Sequence, residues 1–196
     1  MRRLTVAGGR PPARRMAATR GAKEGNSASN DAAGWPPAMR AASISRQACT
    51  ALPKARAAAL ATGRPAIADD SGIEAAALDG APGVRSARFA GEHATDQENL
   101  DLLRSRAPIG SALRYVCALV YVDPAGPLER TFLGYCSGTL AAEPRGERGF
   151  GYDPAFLPDA EHSGRTMAEL SDAEKDRISH RGAAVRELLG WLGEAP

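Results

Sequence analysis

Ten consecutive residues, Leu113 to Val122 (LRYVCALVYV), are nearly all apolar and rich in β-branched and aromatic side chains. That is the composition of a central strand, buried on both faces. Asp123-Pro124-Ala125-Gly126-Pro127 then reads as a turn, and Glu129 to Leu140 returns as the hairpin partner. The remaining elements supply helices. Pro53 fits a first helical turn, Lys54 to Ala61 are strong helix formers, and Gly63 is a C-terminal stop. Thr95-Asp96-Gln97-Glu98 and Ser171-Asp172-Ala173-Glu174 both have capping-box spacing. The first box opens a helix to about Arg104. Ala183 to Leu192 reads as a closing amphipathic helix with Val185, Leu188, Leu189 and Leu192 on its apolar side. Pro65 to Ala68 is a short strand ending in Asp69-Asp70-Ser71-Gly72, and Ile73 to Leu78 a further strand. Helices flanking a sheet that contains one hairpin predict an α/β fold.

At 196 residues the chain is about one domain long and can bury a core. No apolar window reaches the roughly 18 residues of a membrane-spanning helix, and no apolar run follows the first basic residues as in a secretory signal. Cys49, Cys117 and Cys136 lack metal-ligand spacing, which excludes a disulfide scaffold or zinc ribbon and fits a reducing compartment. The charge is split. Residues 1–64 carry 12 basic side chains against Glu24 and Asp31, whereas 65–196 carry 13 basic and 21 acidic ones. Residues 1–50 are rich in Ala, Gly, Arg, Pro and Ser and show no apolar period, so a poorly packed segment is expected there, with order beginning near Leu52. An organelle transit peptide shares this composition. A nucleic-acid arm would want aromatics among its arginines, and none is interleaved there, so no nucleic-acid partner is expected.

Three clusters carry candidate chemistry. Asp69 and Asp70, adjacent at a strand end, point to opposite faces, so one can be tied into the fold while the other faces a cleft. There a carboxylate could hold Mg²⁺ beside phosphates or take a proton from an attacking water. Gly72 frees the backbone to turn. A solvated Asx turn is the alternative for so short a motif. In Gly149-Phe150-Gly151-Tyr152-Asp153-Pro154, glycines on both sides let the Phe150 ring lie open for stacking on a base, and Asp153 could accept from ring N–H groups. A tight turn plugging the core edge fits equally well. Lys175 and Ser179, four apart on one helix face, are followed by His180 and Arg181, which can donate to a phosphate or carbonyl oxygen. A solvated helix end is the plainer alternative. His93 and His162 lie in polar loops and read as surface residues.

The order and spacing of three stretches resemble the inosine triphosphate pyrophosphatase family, the XTP/dITP diphosphatases: Pro65 to Gly91 around AIADDSGIEAAALDGAPGVRSARFAG, Gly149 to Phe156 (GFGYDPAF), and Ala168 to Gly182 (AELSDAEKDRISHRG). The likeness runs from about Ala51 to the C-terminus. It implies a mixed sheet flanked by helices, in two lobes around a central cleft, and a cytoplasmic homodimer. It also implies Mg²⁺-dependent hydrolysis of ITP, dITP and XTP to the monophosphate and pyrophosphate, which cleanses the nucleotide pool. By the family pattern Asp70 is the catalytic carboxylate and metal-site residue; should Asp70→Asn keep the parent rate, Asp69 or Glu74 would be the next candidates. Ser71 lies against the substrate, Phe150, Gly151, Tyr152 and Asp153 form the nucleoside loop, and Lys175, His180 and Arg181 contact the substrate. The His-Arg pair is implied to read the 6-oxo group. A pocket of buried donors satisfies that oxygen and is left unpaired by the 6-amino group of adenine.

The resemblance stops short of residues 1–50. Family members open with a strand and a Thr/Ser-x-Asn-x-x-Lys loop that grips the triphosphate, and later carry a metal-site Glu in a Glu-Asn-Ala segment. Here Gly8-Gly9-Arg10-Pro11-Pro12 follows Leu4 to Ala7, and Cys49-Thr50-Ala51 stands in place of the second motif. Residues 1–50 therefore read as an atypical segment standing in place of the family's first strand, helix and second strand, with the recognisable part of the pyrophosphatase domain over 51–196. A shifted reading frame that resumes near Ala51 would account for this composition, and a transit peptide is the alternative. A nucleotide-binding remnant with little catalysis is the alternative function.

Overall fold

The computed structural model describes Trp35 and residues 37–194. Helix α1 spans Pro37–Thr62, strand β1 Ala66–Ala75, helix α2 Asp96–Arg106, β2 Ala112–Asp123, β3 Leu128–Leu140, β4 Phe156–Pro158, α3 Asp172–Ile178 and α4 His180–Glu194. The four strands form one sheet in the order β1-β2-β3-β4. Every pairing among the described residues is antiparallel, so the parallel pairing that a mixed sheet needs is not found among them.

The apolar run behaves as its composition demands. In β2, Val120 and Val122 pack with Ala51, Ala55 and Ala59 of α1, while Cys117 and Leu119 pack with Ala184 and Leu188 of α4. Alternation along the strand thus covers one face with α1 and the other with α4. Farther along the α4 face, Ile73, Leu100, Leu103, Leu113, Tyr115 and Phe156 share the largest core cluster. Each such side chain contributes about 1.5–3 kcal/mol by burial. The capping box of α2 is present as predicted, Thr95 Oγ1 accepting from the Glu98 amide.

Three expectations are corrected. Order begins well before Leu52, because α1 starts at Pro37 and places Pro53 in its interior. Pro53 sits on the exposed side of α1, so the carbonyl that its missing N–H leaves unbonded faces water. The buried Ala51–Ala55–Ala59 stripe holds the helix on β2. The division between residues 50 and 51 falls inside this helix, and the expectations for residues 1–34 lie outside the described residues. The second correction concerns Asp69-Asp70-Ser71-Gly72, which lies within one strand of ten residues rather than at a strand end, since β1 pairs with β2 from Ala66↔Val122 to Ala75↔Leu113. Gly72 does not turn the chain. It lets the Gly83 carbonyl lie against β1, where a Cβ would collide with it. Third, Ala76–Leu78 forms a 3₁₀ turn instead of continuing a strand.

Gly134 of β3 is packed equally closely, as a Cβ there would meet the His180 carbonyl and the Ala184 amide of α4. Gly134→Ala is expected to lower stability by about 1–3 kcal/mol through overpacking. A urea midpoint equal to the parent's would show that α4 can shift freely.

Candidate active site

Because β1 is extended, its two aspartates face opposite ways, as the sequence predicted. Asp70 is in register with Ala118 and shares the α1 face. There Lys54 Nζ donates to Asp70 Oδ1 at 3.3 Å and to the Asp69 carbonyl at 3.2 Å. Burial pushes the Asp70 carboxyl above its ordinary value, outweighing the pull of Lys54 in the other direction. Asp70 Oδ2 is buried without a hydrogen-bond partner. Lys54 was read from the sequence only as a helix former. Its one available signal was a cation, with Arg56 two residues on, in an alanine-rich helix ahead of two acids.

Asp69 turns to the α4 face. Its Oδ2 accepts from Arg181 Nε at 2.9 Å and from Ser71 Oγ at 3.3 Å. The Arg181 guanidinium lies 5.5 Å from the centre of the Phe150 ring, and Phe150 is 64% exposed. Gly149 and Gly151 adopt φ values of 89° and 62°, which lets the ring stand open between them as expected. Behind it the loop is pinned three ways. Gly151 N donates to Asp96 Oδ2 at 2.8 Å, the Tyr152 hydroxyl to the Ser86 carbonyl at 2.8 Å, and the Tyr115 hydroxyl to Asp153 Oδ1 at 2.9 Å. Lys175 Nζ donates to Asp153 Oδ2 at 3.0 Å. Sequence reading missed Asp96, Ser86 and Tyr115, which belong to segments remote from the motif.

Ser179 is corrected. It does not share a helix face with Lys175, because its backbone is extended at the end of α3. Its Oγ accepts from the Gly182 amide at 3.0 Å, capping α4. His180 and Arg181 therefore open α4. The His180 ring stacks on Tyr115, with centroids 4.8 Å apart and planes 9° apart. Burial, with Arg181 adding to it, pushes the imidazole down to about 3, so it is neutral at physiological pH. His93 and His162 are exposed, as predicted.

The arrangement brings eight of the nine sequence-predicted residues to β1 and its α4 side: Ser71, Phe150, Gly151, Tyr152, Asp153, Lys175, His180 and Arg181. Asp70 stands on the other side of the same strand. β1 is at the sheet edge among the described strands. An open aromatic ring, a buried carboxylate and a neutral imidazole can hold a flat heterocycle. A lysine-flanked carboxylate can activate water. For a divalent cation, no group of three or more His, Cys, Asp or Glu side chains lies together among the described residues. The buried, unpartnered Asp70 Oδ2 still fits Mg²⁺, which takes one or two protein carboxylates and leaves its other positions to phosphate oxygens and water.

Comparison with known proteins finds relatives over most of the chain. The Ham1 family model matches residues 43–191. A dITP/XTP pyrophosphatase from Cutibacterium acnes is 50% identical over 143 residues, 71% of this chain and 70% of the relative. Another from Frankia alni is 50% identical over 153 residues, 74% of each chain. The structure of a HAM1 protein from Coxiella burnetii superposes with a TM-score of 0.66 at 43% identity, covering 74% of this chain and 75% of that one.

Proposed function

Since this chain belongs to the Ham1 family, we propose that it hydrolyses non-standard purine nucleoside triphosphates, ITP, dITP and XTP, to the monophosphate and pyrophosphate. The observation that carries this reading is the side-chain cluster on the α4 side, where Phe150, Asp153, Lys175, His180 and Arg181 converge from a loop and two helices. The half-identical relatives named for dITP and XTP support it.

In this reading the purine stacks on the exposed Phe150 ring. Asp153, its carboxylate aimed by Tyr115 and Lys175, accepts from the ring N–H. Neutral His180 and cationic Arg181 donate to the 6-oxo oxygen. Ser71, Gly151 and Tyr152 complete the wall. The phosphates reach round edge strand β1 to Asp70 and Lys54. Asp70 orients a water and takes its proton as the water oxygen bonds to the α-phosphorus. The bond from that phosphorus to the bridging oxygen breaks, and pyrophosphate leaves. Lys54 offsets charge on the phosphates. Mg²⁺, held through Asp70 Oδ2, would supply further positive charge toward the phosphate oxygens. A homodimer in the cytoplasm completes the proposal. The exposed Val185, Leu189 and Leu192 of α4 offer apolar surface to a second copy, and the three free thiols fit a reducing compartment.

The test is pyrophosphate release from ITP, dITP and XTP against GTP and ATP. Equal rates on ITP and ATP, or none on ITP, would sink the reading. Arg181→Ala removes a donor to the 6-oxo group and the cover over Phe150. It is expected to reduce the ITP-over-ATP ratio of kcat/KM by about tenfold. An unchanged ratio would assign discrimination to other residues.

A further inference from the structure

Asp153 and His180 reach the pocket from separate segments, a loop and the start of α4, and one side chain touches both. Tyr115 stands on β2, the central strand, in register with Ile73 and Cys136, and is 8% exposed. Its hydroxyl donates to Asp153 Oδ1 at 2.9 Å. Its ring lies parallel to His180 at 4.8 Å and tilted on Phe156 at 4.7 Å.

Neither pocket residue is oriented fully without it. Asp153 Oδ2 takes the Lys175 ammonium at 3.0 Å and the Phe150 amide at 3.4 Å. An ammonium on a flexible stem neutralises charge but fixes direction poorly. The phenol on a rigid strand holds the other carboxylate oxygen. For His180, Nδ1 is buried with no hydrogen-bond partner, so nothing at that atom sets the plane of the ring, and the Tyr115 stack takes over that task. Burial pushes the Tyr115 phenol well above its ordinary value, which keeps it a donor at any working pH.

We infer that Tyr115 is a positioning residue for purine recognition, its hydroxyl aiming the Asp153 carboxylate and its ring fixing the plane of the His180 imidazole. This rests on the nucleotide-pocket reading above. Tyr115 acts on the α4 side of β1 and Asp70 faces the α1 side. Its loss therefore falls on base binding and selectivity, and the chemical step is spared.

The experiment compares the parent, Tyr115→Phe and Tyr115→Leu in steady-state kinetics on ITP and ATP, with the His180 imidazole followed by NMR. Tyr115→Phe keeps the stack and loses the hydroxyl. It is expected to raise KM for ITP by about 3–10-fold, with kcat within about twofold of the parent and the ring-shifted His180 signal retained. Tyr115→Leu is expected also to lose that shift and about tenfold of the ITP-over-ATP selectivity. Folded variants with the parent's KM and selectivity would overturn the proposal. So would kcat and KM changes that merely track lost thermal stability. If Tyr115→Leu fails to fold, Tyr115→Phe alone decides, and an unchanged KM overturns it. If the parent releases no pyrophosphate from ITP, the hydrolase reading fails. The Tyr115 proposal is then judged by calorimetric ITP affinity in the same proteins. A parent that does not bind ITP overturns both.

Discussion

Asp70→Asn is expected to cut turnover of ITP by about 10²–10⁴-fold, the usual contribution of a positioned general base, while the enzyme still binds nucleotide. Binding is expected to survive because the proposed base pocket is built from side chains on the α4 side of β1, whereas the Asp70 side chain faces the α1 side. The same substitution should raise the melting temperature. Burial pushes the Asp70 carboxyl above its ordinary 3.8 even with Lys54 at 3.3 Å, so the folded state holds that proton more tightly than the unfolded one. Stability from this group is therefore lost as pH rises from 3.8 through the folded value, and it stays lost at neutral pH. The amide carries no such penalty. Loss of activity with gain of stability is the signature of a strained functional group, and it separates a catalytic role from simple damage. The acid limb of the parent's pH–rate profile should lie above pH 3.8 for the same reason. An Asp70→Asn protein that hydrolyses ITP at the parent rate would remove Asp70 from the mechanism. One that melts lower would show that the Lys54 pair outweighs burial.

Much of this arrangement was legible in the sequence where a local rule acts alone. The run Leu113 to Val122 is a central strand because nothing but a doubly covered strand hides so many β-branched side chains. The two capping boxes fix the starts of α2 and α3 within a residue. Period two along β1 separates Asp69 from Asp70 in any extended strand. Tertiary partners decided the rest. Pro53 reads as a helix start until β2 offers a surface that holds Ala51, Ala55 and Ala59 together across it. The Asp-Asp-Ser-Gly motif reads as a turn until a long partner strand pairs it end to end. Ser179 reads as helical until its hydroxyl caps the next helix. Of the site, the motif residues were visible. Their supports, Lys54, Asp96 and Tyr115, were not, because each lies on an ordinary helix or strand and becomes meaningful only through what it touches.

Glu74→Gln is expected to destabilise the protein by about 3–5 kcal/mol, a large share of the roughly 5–15 kcal/mol that holds a typical domain together. Glu74 Oε2 accepts from Arg114 Nη2 at 2.8 Å, and the two side chains are 5% and 0% exposed. The guanidinium is flanked by the rings of Trp35 at 4.6 Å and Tyr135 at 5.1 Å, and its Nε and Nη1 have no hydrogen-bond partner. Glu74 is thus the carboxylate on which this buried cation depends. The Gln side chain keeps the shape and an acceptor oxygen but strands the positive charge away from water. Shape and charge separate in a double replacement. Glu74→Met with Arg114→Met removes both charges, so it should recover much of the stability lost by Glu74→Gln. Urea midpoints at constant m-value measure each step. A Glu74→Gln protein that unfolds at the parent midpoint would show that the cation finds other compensation. A double variant less stable than either single one would mean that packing, not charge, is at stake. The pair also bears on catalysis. Glu74 shares the α1 face with Asp70, but its Oε2 is taken up by the Arg114 guanidinium, which meets no other carboxylate among the described residues. Glu74→Gln should therefore lose stability and keep its kcat when assayed cold, the reverse of what Asp70→Asn does.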